Sequence, residues 1–376
     1  MRQFILKHYR KTLTALAVGV FLWLLATQRS STPPAVVQEL SGSTMGTSWH
    51  VQVVTQPADA GKLNETGKAI IDRLAQLDRG IFSTYAADSE LSKLNAAPLN
   101  KPVPASRELI EVLLLARTIN RQSYGTFDVT VGPLVNLWGF GPDKANGVPT
   151  DAAIAAAMKR LGADRYDIDV RAGTAMRTAD IGIDLSAIAK GYAVDKIVEL
   201  LQAAGFVNFL VEIGGELRMQ GRRQAEQGWI VGIEAPQTGQ RSAIDRIDSH
   251  GDAFAVADSG DYRNFFEAGG KHYSHEINPR SGRPVDHALT AVTVLAPTTA
   301  EADAWATAMM VLGPVDGPLL ANQRNMAVYF IIRKQDGGWD TQHTPAFEQY
   351  LKPCVQPGTE AVSCSPDTAS PTAQGI

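Results

Sequence analysis

The pattern of apolar and polar positions predicts short strands that alternate irregularly with amphipathic helices. Apolar residues at every second position predict a strand over residues 47–54. A run of β-branched residues predicts a buried strand over residues 289–295. Helical spacing of apolar residues predicts helices over residues 106–119 and 150–161, the second capped by Thr150.

Further segments complete this pattern and define the fold class. The same signals predict a helix over 69–77, strands over 181–184, 206–212, 229–234, 253–257 and 326–333, and a helix that follows Asp184 and runs to Gly205. Segment 125–142, with four Gly and two Pro, is too broken for a strand and too apolar for a free loop, which predicts a buried or ligand-covering segment. Without a regular βαβ period, we expect an α+β fold of mixed sheets packed with helices in one large domain.

The chain ends divide the sequence further. Arg2, Lys7, Arg10 and Lys11 precede an apolar run over 13–26, which predicts a signal peptide or an uncleaved signal anchor within residues 1–27. The run lacks a clean cleavage site, so an anchor is slightly favoured and cleavage stays open. The positive charges predict a body facing the periplasm from the inner membrane, or secreted to the periplasm after cleavage. We expect a linker over 28–38, a folded body over 39–352 and a disordered Pro/Ser/Thr-rich tail over 353–376.

Composition excludes several classes of function. The 376 residues carry a net charge of -4 and no basic stripe, which excludes nucleic acid as a partner. The two cysteines, Cys354 and Cys364, lie in the tail, so the core has no thiolate nucleophile or cysteine zinc site. Whether they form a disulfide stays open. The sequence also lacks a P-loop, a dinucleotide-binding glycine fingerprint and a G-x-S-x-G elbow.

The segment over residues 273–313 combines a polar turn, an apolar strand and a helix start. Thr298, followed three residues later by Glu301, predicts a capped helix. Asp303 and Thr307 are four residues apart on that helix, so their oxygens share one face and suit a hard cation such as Mg²⁺. Spacing alone favours the structural alternative, in which Asp303 compensates the helix dipole and Thr307 packs in the core.

Seven ordered motifs carry a resemblance to a known family. They are GSTMGTSW at Gly42, FSTYAADSELSKLN at Phe82, GTFDVTVGPLVNLWGFG at Gly125, DLSAIAKGYAVD at Asp184, EIGGELR at Glu212, HEINPRSGRPV at His275 and ADAWATAMMVLG at Ala302. Together they resemble the FAD:protein FMN transferases, the ApbE-like flavin transferases. The resemblance implies an enzyme that attaches FMN from FAD to a Thr or Ser hydroxyl of a redox partner protein, releases AMP and uses Mg²⁺.

The resemblance also implies roles for individual residues. The implied metal ligands are the backbone oxygen of Ala187, Asp303 and Thr307. The implied catalytic residues are His275, as the base, and Asp303. The implied FAD contacts are Met45, Tyr85, Phe127, Asp128, Val129, Asp184, Lys190 and Ile277. Two departures stand out: the chain lacks the lipid-accepting Cys of many relatives, and Asn278 stands where an Asp is common. An FAD pyrophosphatase and a non-enzymatic periplasmic FAD carrier remain as alternatives.

Overall fold

An antiparallel sheet of eight strands forms the centre of the protein. The computed structural model describes residues 34–142, 147–224, 227–236, 242–262 and 264–352. In chain order, which is also the order across the sheet, the strands are β1 (Val36–Thr44), β2 (Thr47–Thr55), β3 (Phe209–Ile213), β4 (Glu216–Gln220), β5 (Phe254–Gly260), β6 (Leu289–Ala296), β7 (Ala327–Arg333) and β8 (Trp339–His343). Each neighbouring pair is antiparallel.

Helices pack on the sheet, and short accessory strands form separate sheets of two or three strands. The helices are α1 (Ala60–Ala75), α2 (Glu90–Ala96), α3 (Arg107–Gln122), α4 (Gly132–Leu137), α5 (Asp151–Met158), α6 (Ala189–Ala203), α7 (Thr299–Gln323) and α8 (Pro345–Glu348). Accessory strands are Val103–Pro104, Tyr166–Asp169, Thr174–Arg177, Arg222–Gln224, Gln227–Gly228, Ile230–Glu234, Ala243–Asp248, Phe265–Ala268, Lys271–Ser274, Ile277–Asn278, Arg283–Pro284 and Leu351–Lys352. The α+β class predicted from the sequence is confirmed.

The sheet is covered on both faces, and β6 shows why its sequence is largely apolar. Val292 and Val294 pack into the large core that includes α6 and α7. Ala291 and Leu295 point to the opposite face, into a second cluster with Trp229. Because successive side chains of a strand alternate between faces, a strand covered on both sides buries residues at almost every position, and its buried Thr293 donates its hydroxyl to Asp258.

The caps predicted at Thr150 and Thr298 are confirmed, and Ser106 forms a third cap that was not predicted. The side chains of Ser106, Thr150 and Thr298 accept hydrogen bonds from main-chain N–H groups at the starts of α3, α5 and α7. The predicted helix over 69–77 is longer: α1 is followed directly by a π-helical turn, Gln76–Phe82. The fold also begins earlier than expected, because β1 starts at Val36 rather than near Glu39. The predicted segments 1–27 and 353–376, with both cysteines, lie outside the described residues.

The predicted strand over 181–184 is wrong. A single bridge joins Gly182 to Val131, and side chains take the main-chain groups that a strand would pair. The Asn95 amide donates to the carbonyl of Ile183 and accepts from its N–H, both at 2.8 Å. The Arg177 guanidinium donates to the carbonyl of Ile181 at 2.7 Å. The distant Asn95 and the nearby Arg177 together hold the segment without placing it in a sheet.

Helix α7 is interrupted near its middle. Gly313 has a φ of 80°, and Pro314 follows it, so Pro314 offers no N–H to the Met310 carbonyl. The Nε2 of His287 lies 2.9 Å from that carbonyl and donates the missing hydrogen bond. The helix is long and apolar enough to cross a membrane, but its most apolar stretch is 67% buried inside the protein, which marks it as a core helix.

Candidate active site

The N-termini of α6 and α7 meet, and each helix caps the other. Gly191, in the first turn of α6, donates its N–H to Oδ2 of Asp303 on α7 at 2.9 Å. In return, the Asp195 carboxylate on α6 accepts the N–H groups of Thr299 and Ala300, both at 2.9 Å. Helix α6 begins after Ile188 without a side-chain cap of its own. The two aspartates therefore satisfy donors that would otherwise be orphaned at both helix starts.

Close approach of the two helices depends on Gly191. A Cβ at this position would lie 2.3 Å from the carbonyl oxygen of Thr299 and 2.8 Å from Cβ of Asp303. A side chain of any size would therefore push α6 and α7 apart. The reason for glycine in the AKGYA sequence is this contact, which brings the Asp303 carboxylate to the start of α6.

Lys190 lies between two buried carboxylates. Its Nζ is 2.9 Å from Oε1 of Glu216 and 4.0 Å from Oδ1 of Asp303. Burial raises the pKa of Glu216 to about 8 and also raises the pKa of Asp303, against the attraction of Lys190. Desolvation disfavours the Lys190 ammonium, but attraction to Asp303 and Glu216 outweighs it, so the pKa of Lys190 is raised.

Sequence reasoning did not assign a role to Glu216. Its carboxylate is buried, and Oε2 has no hydrogen-bond partner among the described residues. One feature of the sequence could have indicated a role for Glu216. It is an acid that directly follows Gly214 and Gly215 and begins a strand. Only the fold shows that this acid faces Lys190.

The three residues implied as metal ligands lie around the same helix junction. Gly191 donates its N–H to Asp303, and Ala187 lies in the turn directly before the start of α6. Thr307, half-buried, is one turn beyond Asp303. No group of three His, Cys, Asp or Glu side chains with metal-binding geometry occurs in the described part of the chain. A carboxylate, a hydroxyl and a carbonyl form a different, oxygen-only set that suits Mg²⁺.

The Met45 turn borders this cluster. Met45 has a φ of 49° in the two-residue turn between β1 and β2, and its N–H donates to Oδ2 of Asp78 at 3.0 Å. Thr47 follows the turn and lies close to Gly214. A Cβ atom added to Gly214 would be 2.8 Å from the methyl group of Thr47 and 3.4 Å from Cδ of Lys190. The structure therefore places the Met45 turn beside Lys190, as the resemblance implies for a ligand contact.

A main-chain hydrogen bond joins residues 127–129 to the segment before α6. The side chains of Phe127 and Val129 are not exposed. Phe127 and Val129 are buried in the main core, so a ligand contact at these two positions falls to the main chain. Asp128 accepts from the N–H and hydroxyl of Thr130 at 2.8 and 2.7 Å, and burial raises the pKa of Asp128. The Val129 carbonyl accepts from the N–H of Asp184 at 2.7 Å.

Helix α6 starts later than the helix predicted directly after Asp184. Asp184 accepts from the N–H and hydroxyl of Ser186 at 2.8 and 2.6 Å in a turn, and α6 starts at Ala189. The turn places Ala187 between Asp184 and the start of the helix.

Tyr85, Ile277 and His275 differ strongly in exposure. The Tyr85 side chain is 73% exposed on a loop, available to a ligand ring. Ile277 is buried in a cluster with Leu134 and Trp138. The half-buried His275 has Nδ1 3.1 Å from the Asn264 carbonyl and Nε2 3.8 Å from Oε1 of Glu276.

The fold is an antiparallel sheet covered by helices, and its candidate site is a lysine between buried acids at a helix junction. Together these two features describe the class of protein to which the chain belongs. The chain belongs to the ApbE family, whose family model matches residues 45–330. It is 40% identical over 319 residues to the FAD:protein FMN transferase of Vibrio cholerae serotype O1, across 85% of this chain and 94% of that protein. The corresponding Klebsiella pneumoniae protein is 38% identical over 328 residues, 85% of this chain and 91% of its own length.

Solved structures give the same result. The apo crystal structure of the Pseudomonas stutzeri flavinyl transferase ApbE superposes with a TM-score of 0.76 at 36% identity, covering 84% of this chain and 97% of that one. The flavin transferase ApbE from Vibrio cholerae also gives a TM-score of 0.76 at 36% identity, covering 85% of this chain and 100% of that one.

Replacing Gly191 by Ala tests the helix junction. We expect Gly191→Ala to lower the free energy of unfolding by about 2 kcal/mol, because the new methyl group overlaps Thr299 and separates the two caps. Urea unfolding followed by tryptophan fluorescence measures the change. Gly61→Ala on α1 is the matched control: its Cβ meets nothing within 4 Å, so it should be neutral or slightly stabilising. Equal unfolding midpoints for the two variants would contradict the account of the junction.

Proposed function

We propose that this chain is an Mg²⁺-dependent FAD:protein FMN transferase, which attaches FMN from FAD to a Thr or Ser hydroxyl of a partner redox protein and releases AMP. The observation that carries the proposal is the buried contact of Lys190 with Glu216 and Asp303 at the junction of α6 and α7. Membership of the ApbE family, whose curated relatives are named FAD:protein FMN transferases, supports the same activity.

The charge balance of the cluster fits a bound cation. Glu216 and Asp303 are both buried, and Lys190 supplies one positive charge between them. Ala187, Asp303 and Thr307 would hold Mg²⁺ through oxygen atoms, and the ion would neutralise charge on the pyrophosphate oxygens of FAD. Oxygen-only ligands and the absence of thiols in the core favour Mg²⁺ over zinc.

The remaining residues bind and orient FAD and the acceptor. Met45 and the exposed Tyr85 offer polarisable and aromatic surface to a flavin or adenine ring. The main chain around Asp128 and Asp184, and the buried Ile277, shape the adjoining wall. Lys190 supplies positive charge to the phosphates.

His275 is the proposed base. A histidine side chain titrates near neutral pH, which suits it to accept a proton from a hydroxyl. The acceptor Oγ forms a bond to the FMN phosphorus, the bond from that phosphorus to the bridging oxygen breaks, and AMP leaves. The hydroxyl proton moves to His275. The His275 side chain is 35% exposed, so a partner protein can reach it.

The cellular site is part of the proposal. The N-terminal charges and apolar run support an enzyme attached to the inner membrane that faces the periplasm, or secreted there after cleavage. Exported redox proteins are the acceptors within its reach.

In-gel fluorescence separates transfer from its alternatives. The protein is incubated with FAD, Mg²⁺ and an extract of exported proteins from the same cells, and a denaturing gel is viewed under ultraviolet light. A transferase leaves a fluorescent acceptor band that survives denaturation. Free FMN and AMP without a labelled band would support a pyrophosphatase, and unchanged FAD would support a carrier.

The metal assignment is tested by Asp303→Asn. We expect a loss of transfer on the order of 100-fold or more with the fold retained, because the amide keeps a hydrogen-bond acceptor for Gly191 but removes the negative charge. Transfer rates are measured over a range of Mg²⁺ concentrations. Asp195→Asn is the matched control, since it makes the same change in the reciprocal cap. Equal rates for Asp303→Asn and the unmodified enzyme would refute the assignment.

The base assignment is tested by His275→Ala. We expect FAD affinity to stay within about twofold while transfer falls roughly 100-fold or more, the usual contribution of a general base. Quenching of flavin fluorescence measures binding, and the labelled gel band measures transfer. A variant that transfers flavin at the normal rate would place the base elsewhere.

A further inference from the structure

A buried carboxylate beside His275 has no part in the mechanism above. Glu276 follows His275 in the chain, and its side chain is 7% exposed against 35% for His275. Its Oε1 lies 3.8 Å from Nε2 of His275. A buried acid is costly unless its surroundings compensate it, so its presence next to the base calls for a physical reason.

The hydrogen bonding of His275 indicates which nitrogen is basic. Nδ1 is 3.1 Å from the carbonyl oxygen of Asn264, which only accepts hydrogen bonds. Nδ1 must therefore carry the proton in the neutral ring, and Nε2 has the free electron pair. Nε2 is the nitrogen that faces Glu276.

We propose that Glu276 is a positioning residue for flavin transfer, which acts through His275 by stabilising the imidazolium formed when Nε2 takes the acceptor proton. The proposal rests on the proposed function. The proton leaves the acceptor hydroxyl for Nε2 while the acceptor oxygen bonds to the FMN phosphorus and AMP departs. The Asn264 carbonyl holds Nδ1–H, so both polar edges of the ring are oriented before the reaction.

The groups around Glu276 connect it to the lysine cluster. Burial raises the pKa of Glu276, while the charges of His275 and Lys190 and a hydrogen bond from Ser259 oppose this, and Asp303 adds repulsion. Lys190 comes from α6 and Asp303 from α7, so the charges of the helix junction act on Glu276 as well as the charge of His275.

Substitutions at Glu276 test the proposal with the acceptor purified from the fluorescent band. Glu276→Gln keeps the shape and removes the charge. We expect kcat to fall roughly 10-fold, as for other residues that support a reacting group, with KM for FAD within about twofold. Glu276→Asp retains a carboxylate and should recover part of the rate. Asp286→Asn is the control, because it removes an exposed acid that pairs with Lys271 on the surface of the same region.

A double-mutant cycle separates a role through His275 from a general structural role. In the His275→Ala background, Glu276→Gln should have no further effect on the residual rate, since the group it supports is gone. An additive loss, a loss confined to KM for FAD, or an unchanged kcat for Glu276→Gln would each overturn the proposal. If the unmodified enzyme labels no acceptor at all, the proposed function is wrong. If the unmodified enzyme is active and Glu276→Gln transfers at the same rate, only the role of Glu276 is wrong.

Discussion

The structure depends on two aspartates that exchange caps between α6 and α7. Asp303 accepts from the start of α6, and Asp195 accepts from the start of α7. Neither bond is local in sequence, so neither helix start is complete until the two helices dock. Because Gly191 allows the helices to touch, the same contact that satisfies the helix ends also fixes Asp303 next to Lys190. Folding and site assembly are therefore one event in this region.

The site gathers three acidic side chains around one lysine in a dry environment. Glu216, Asp303 and Glu276 are all buried, and Lys190 is the cation that contacts two carboxylates of the cluster. Buried like charges raise each other's pKa and reduce stability. A bound cation would reverse that penalty, and ligand binding to the folded state alone adds stability by mass action. The same buried acids that could bind a cation therefore lower the stability of this part of the core when no cation is bound.

Sequence reasoning succeeded where the cause is local. The caps at Thr150 and Thr298 and the apolar run of β6 follow from residues within one turn or strand. It failed at residues 181–184, where Asn95 from a distant part of the chain and the nearby Arg177 take main-chain groups. Glu216 was missed because its partner Lys190 lies on α6, and only the packing of that helix on the sheet brings the two side chains together. The family resemblance supplied positions, and the fold shows that the side chains of Phe127 and Val129 are buried, which leaves any ligand contact there to the main chain.

The Met45 turn shows the same dependence on distant contacts in its backbone conformation. Left-handed φ values are uncommon for residues other than glycine, and a side chain there costs free energy that its surroundings must offset. Met45 adopts a φ of 49° while Gly46 follows at 74°, so the turn has a glycine available and still keeps a methionine. The carboxylate of Asp78 holds the Met45 N–H from outside the turn, and Thr47 contacts Gly214 beside Lys190. The strained turn is therefore held by Asp78 on one side and by the packing of Thr47 against Gly214 on the other, and these contacts keep a long, polarisable side chain at the edge of the lysine cluster.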